Sequence, residues 1–158
     1  RGIRESKLID LEKLCIKKGE KVWTVFVDVY SINEDGNLMD AAAIGALVAL
    51  KDAKIPKYDE KEEKVLYGEL TNKNIPLTKD SIISTTIYKI GDKLVVDPTR
   101  EEEDASETRI TITLSKDAIH SMQKGNSKEI SIEEFNEAID LAEKNYKALL
   151  PKIEKGLK

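Results

Sequence analysis

The chain is poor in the residues that carry metal and redox chemistry. It has one cysteine and one histidine, so it can form no internal disulfide and offers no Cys/His cluster for zinc. A reducing, cytoplasmic compartment is therefore expected. It also lacks an excess of positive charge: 26 Lys and Arg against 30 Asp and Glu leave a net charge of −4. That excludes a nucleic-acid binder relying on its own overall field, so any RNA contact must be local or built jointly with a partner. No long hydrophobic run exists either. The longest, Ala41 to Leu50, has ten residues, half of the ~20 a membrane helix needs, and no membrane partner is expected. With only 4 Pro and 8 Gly, the composition also excludes collagen-like and low-complexity chains. At 158 residues, 40% hydrophobic and 35% charged, what remains is a folded protein with room for one core. The opening Arg-Gly-Ile-Arg has neither an initiator Met nor a leader pattern, and is expected to be the cut edge of a longer protein.

Residues 22–32 are rich in β-branched and aromatic types on both alternating faces, which predicts a central strand covered on both sides. Turn residues 33–37 follow. The Ala- and Leu-rich run 39–53 predicts a buried helix stopped by Pro56. Residues 59–64 are all charged and read as a solvated loop or strand edge. Residues 82–90 and 93–97, joined by Gly91-Asp92, have the form of a β-hairpin, with Gly at the first turn position. Residues 108–114 alternate with period two, giving one core face and one wet or interfacial face, and a short strand is expected at 118–122. Ser131 and Glu134 form a capping-box pattern ahead of apolar residues at helical spacing, which predicts a long amphipathic helix that Pro151 should kink or end. The order of elements describes an α+β fold.

Several places could carry chemistry. The stretch 97–104 holds five carboxylates in eight residues. Grouped carboxylates can bind Mg²⁺ or share a proton, and Asp97, Glu101, Glu103 and Asp104 are the residues an autonomous metal-dependent nuclease would use; the alternative is a solvated acidic loop. Asp35-Gly36-Asn37 leads into a helix N-terminus, where free N–H groups attract anions. Asp40 in the first turn would oppose an anion there, and capping is the better reading. His120 reads as a strand or surface residue, and Cys15, within Leu-Cys-Ile, as an inert packed thiol. Arg1, Arg4 and Lys7 are spaced three apart, able to line one helix face and meet successive phosphates.

Arg-Gly-Ile-Arg-Glu-Ser-Lys at 1–7, Leu-Glu-Lys-Leu-Cys-Ile at 11–16, Trp23 to Tyr30, Asp35 to Ala41, Leu94 to Glu103 and Met122 to Gly125 form an ordered set. With it the chain resembles the RNase PH superfamily, and within it the non-catalytic RNase PH-like subunits of archaeal exosomes. The resemblance implies an RNase PH-like (ribosomal protein S5 domain 2-like) arrangement of βα layers, a mixed sheet packed with helices. Residues 1–158 would be the later part of one such domain, without its opening strands. Active members degrade RNA from the 3′ end with phosphate as the attacking group. Matching their Asp-Gly-Gly-Thr-Arg-Thr-Ala-Ala to this chain puts Asn37, Leu38 and Met39 where they hold phosphate with Gly-Thr-Arg. A hydroxyl donor and a guanidinium fork are thereby lost. Of their two acidic residues, Asp97 matches the first and Glu103, one methylene longer, the second. The resemblance thus implies no catalytic residue and no cofactor. It implies a partner set instead: a catalytic RNase PH-like sister in a six-membered ring, RNA-binding cap subunits, and single-stranded RNA reached by Arg1 and Arg4.

Overall fold

Asn37 closes a turn and opens the helix that the Ala-rich run predicts. In the computed structural model, which describes residues 1–78 and 80–157, that helix is α2, Leu38–Asp52. Before it come a one-turn helix α1 (Gly2–Glu5), a 3-10 turn (Leu11–Leu14) and a small antiparallel pair, β1 (Cys15–Lys17) and β2 (Lys21–Val22). After it come β3 (Lys54–Asp59), β4 (Lys64–Asn74), β5 (Ile83–Ile90), β6 (Lys93–Val96), α3 (Arg100–Asp104), β7 (Thr108–Leu114), β8 (Ile119–Gly125) and α4 (Ile132–Gly156). The main sheet has the order β6-β5-β7-β8, and β3 and β4 form a separate hairpin whose charged tip is residues 60–63.

The expected mixed sheet is antiparallel in every described strand pair. Short connections explain this for the strands that follow one another: a tight turn at Gly91, φ +56°, joins β5 to β6, and a few residues join β7 to β8. Connections of that length allow only antiparallel neighbours. The period-two pattern of β7 sorts the sheet's faces. Ile110, Ile112 and Leu114 turn to α4, where they bury with Ile87, Ala138 and Ala142. Arg109, Thr111 and Thr113 turn to the other face, toward α2. A second cluster, Leu8, Leu47, Leu50, Ile82 and Ile83, joins α2 to the sheet and to the last turns of α4.

Four expectations are corrected. Residues 23–32 form no strand, and past Val25, which packs on the second cluster, they lie open: Phe26 is 82%, Tyr30 87% and Ile32 100% exposed. Their composition favours extended backbone, but a strand needs a neighbour to take its N–H and C=O groups, and among the described residues only Trp23 finds one, its N–H donating to the Leu14 carbonyl. Pro56 does not stop α2, which ends at Asp52; it pairs within β3 next to register shifts, a position that tolerates a missing donor. Nor does Pro151 end α4, which carries the predicted Ser131–Glu134 capping box and runs to Gly156. The carbonyl left without its donor, on Lys147, is in an exposed turn, while Leu149, Leu150 and Ile153 hold the helix down. Cys15, expected to be packed, is exposed; Leu14 beside it fills the core.

Candidate nucleotide and phosphate site

The N-terminus of α2 and the loop after β6 meet. Gly36, at φ +68°, lies so close to Pro98 that a Cβ there would collide with the Pro98 carbonyl oxygen. This brings the 35–40 turn beside Asp97, itself in the left-handed region at φ +57°. Thr99 then caps α3 with Glu102 in a second capping box, so the acidic stretch expected as a possible loop is a short helix.

The positions matched to a phosphate motif are chemically quiet. Asn37, 6% exposed, spends its side chain internally: its Oδ1 accepts the Asp40 N–H at 3.3 Å, and its Nδ2 donates to Asp40 Oδ2 at 2.7 Å. Asn37, not Asp40, is thus the cap. The Leu38 N–H donates to the Gly36 carbonyl and the Ala41 N–H to the Asn37 carbonyl. Three N–H groups of the first turn are therefore already engaged. The Leu38 and Met39 side chains lie partly exposed at the surface and offer no donor.

Asp40 is a buried tie rather than a surface charge. Oδ2 accepts from the Thr86 N–H at 2.7 Å and Oδ1 from the Thr86 hydroxyl at 2.7 Å. β6 pairs only with Ile87–Ile90, so the carboxylate takes the place of a strand partner just where β6 has left the sheet. Burial pushes the Asp40 carboxyl above the usual range, outweighing these donors, and the charge of Asp97 adds to the rise.

Glu103 is held at its own end of the cluster. Its Oε1 accepts from the Tyr88 hydroxyl at 3.2 Å and pairs with Arg109 Nη1 at 3.8 Å. Tyr88 is 1% exposed, and its phenol is pushed up to about 12, first by burial and then by Glu103, so it remains a donor. Glu101 is exposed and Asp104 pairs with Arg100; neither joins the cluster. Among the described residues no three His, Cys, Asp or Glu side chains converge on a metal position.

Arg1 and Met39 line one cleft of ≈ 360 Å³ together with Thr111, Thr113, Ser121 and Gln123 on the sheet's polar face. Arg4 points elsewhere and pairs with Glu5 at 3.3 Å. Lys7, at φ +52°, lies outside α1, so the three basic residues do not share a helix face. His120 lies on β8, with Nε2 buried and without a hydrogen-bond partner. Tyr88, Arg109 and Thr86 were not singled out from the sequence. The alternation of β7 puts Arg109 on the face of Thr111 and Thr113, a signal that was available; Tyr88 and Thr86 come to the site only through strand pairing.

The domain 1 model of the 3′ exoribonuclease family matches residues 1–56, and its domain 2 model matches residues 80–145. Over 145 residues the chain is 41% identical to the exosome complex component Rrp42 of Methanopyrus kandleri, covering 91% of this chain and 54% of that protein. To that of Methanosarcina acetivorans it is 44% identical over 144 residues, covering 90% and 51%. Among solved structures, an archaeal exosome core chain superimposes with a TM-score of 0.84 at 39% identity, over 98% of this chain and 60% of that one. A chain of the Archaeoglobus fulgidus exosome with RNA bound to the active site gives 0.83 at 40%, over 96% and 57%. The chain spans about half the length of the curated relatives it matches. No helix among the described residues is long and apolar enough to cross a membrane.

Proposed function

Because the chain belongs to the 3′ exoribonuclease family, whose two domain models match residues 1–56 and 80–145, we propose that it is a non-catalytic subunit of an exosome that degrades RNA from 3′ to 5′. In this reading residues 1–158 are the later part of one RNase PH-like domain. The subunit pairs in the cytoplasm with a catalytic RNase PH-like sister in a hexameric ring, under RNA-binding cap subunits, and helps to hold single-stranded RNA.

One observation carries the non-catalytic assignment. At the N-terminus of α2, Asn37 is consumed by Asp40, and the Leu38 and Met39 side chains have neither a hydroxyl nor a guanidinium to offer. Phosphorolysis requires phosphate and leaving group in line within a fraction of an ångström, and a site unable to seat the phosphate cannot start. Glu103 supports the same reading, since Tyr88 and Arg109 already hold the carboxylate that would have to manage a proton.

The RNA role rests on Arg1 and Arg4. Arg1 lines the cleft over the threonines of β7, and the Arg4–Glu5 pair is exposed on both sides, so exchanging it for an RNA phosphate costs little. The test is to mix the full-length protein with an RNase PH-type catalytic subunit and measure the mass of the assembly. A ring of alternating subunits is expected; a protein that stays apart from every such subunit overturns the proposal.

A further inference from the structure

Glycine as the first residue of a one-turn helix needs a reason, because alanine is the better helix former, by up to ~1 kcal/mol in a helix interior. The structure supplies a steric one. A Cβ at Gly2 would lie 2.7 Å from Thr113 Oγ1, 2.8 Å from its Cγ2 and 3.2 Å from its Cβ. Thr113 cannot easily move aside: it is 2% exposed, it sits in β7 between β5 and β8, and its hydroxyl bonds Ser84 Oγ at 2.8 Å. α1 therefore rests with its backbone directly on the sheet, and this contact sets the height of Arg1 over the cleft that Met39, Thr111, Ser121 and Gln123 line.

We propose that Gly2 and Thr113 form a positioning contact that seats Arg1 for an RNA phosphate, so that RNA affinity depends on the combined size of residues 2 and 113. This rests on the RNA-binding reading above and adds to it the reason α1 presents Arg1 where it does. A single methyl group at residue 2 pushes α1 off β7 and carries Arg1 with it, while the substitution itself favours the helix. Any loss of binding then comes from displacement and not from unwinding.

The experiment uses the full-length protein and a labelled single-stranded oligoadenylate RNA, with binding followed by anisotropy from low to high salt. Gly2→Ala is expected to bind more weakly, with a slope of log affinity against log salt smaller by about 0.7, the value of one single-strand phosphate contact. Thr113→Ser removes the methyl group and keeps the hydroxyl that Ser84 uses. Thr113→Ala removes both. Each is expected to leave binding near the parent value; combined with Gly2→Ala, Thr113→Ala is expected to recover affinity and slope, and Thr113→Ser, which keeps the Oγ1 that lies 2.7 Å from the added Cβ, to recover less. A general loss of folding would not be repaired by making the neighbour smaller. Parental affinity and slope in Gly2→Ala, or no recovery in either double variant, overturns the positioning contact. Arg1→Ala with Arg4→Ala separates the two claims. If that variant loses binding while Gly2→Ala does not, the seat is wrong and the RNA reading stands; if it binds as the parent does, both fall.

Discussion

Replacing Asp40 by asparagine and by alanine separates its hydrogen bonds from its charge. Asp40 Oδ2 accepts from both the Thr86 N–H and Asn37 Nδ2, and Oδ1 accepts from the Thr86 hydroxyl. In Asp40→Asn the side-chain oxygen can keep the first two donors, and the Thr86 hydroxyl can turn toward Thr111 Oγ1, 3.0 Å away. The cost is about 1 kcal/mol or less. Asp40→Ala leaves two buried donors without an acceptor at about 1–3 kcal/mol each, a loss of about 2–6 kcal/mol. The pH dependence runs against that of an ordinary paired carboxylate. Burial raises the folded-state pKa of Asp40, so between the unfolded value of 3.8 and the raised one the folded protein holds the extra proton. Stability contributed through Asp40 is then fully present below pH 3.8 and is lost as pH rises through the raised value, by at most about 1.4 kcal/mol per pH unit. Urea unfolding of parent and Asp40→Asn from pH 4 to 8 measures the difference directly. The parent should lose ground to the variant as pH rises. A pH-independent difference, or Asp40→Asn as damaging as Asp40→Ala, refutes the reasoning.

The exposed segment 23–32 should make the 158-residue chain self-associate by itself, because Phe26, Tyr30 and Ile32 present apolar surface beside unpaired backbone. Sedimentation velocity over a range of concentrations should show association that Phe26→Lys with Tyr30→Lys reduces; a parent that stays monomeric throughout contradicts this. Restoring a phosphate seat with Asn37→Gly, Leu38→Thr, Met39→Arg and Asp40→Thr should return phosphate affinity before turnover, at a measurable loss of stability from the Asp40–Thr86 tie. Calorimetric titration into the full-length variant checks it, and a folded variant without millimolar affinity shows that more of the pocket than these four residues is missing.

What the sequence made legible follows from how local each signal is. α2, the Gly91 hairpin, β7 and the Ser131 cap are written in adjacent residues: helix formers, a turn glycine, alternation, and a hydroxyl three residues before a glutamate. Residues 22–32 carried an equally strong local signal and misled, since whether an extended segment becomes a strand is decided by a neighbour, which local composition does not encode. β3 and β4 were missed because Pro56 reads as a helix stop and Gly68 and the Lys- and Asn-containing β4 have weak strand preference. In the site, Asp97, Glu103 and the 37–39 positions were visible through the resemblance. The partners that define their chemistry were not. Thr86 lies 46 residues from Asp40, and Tyr88 lies 15 from Glu103; only the register of β5 with β6 and β7 brings them to these carboxylates. Gly2 escaped for the same reason, its meaning lying in Thr113 across the fold.

Phosphorolysis itself tests most directly whether the α2 N-terminus can seat the attacking phosphate. Full-length protein is incubated with a single-stranded RNA labelled in its 3′-terminal nucleotide, phosphate and Mg²⁺, alone and after assembly with a catalytic RNase PH-type subunit. No labelled nucleoside diphosphate is expected from the protein alone, and release from the assembly is expected to be unchanged by Glu103→Gln in this subunit. Release by the protein alone, abolished by Glu103→Gln or Asp97→Asn, would contradict this.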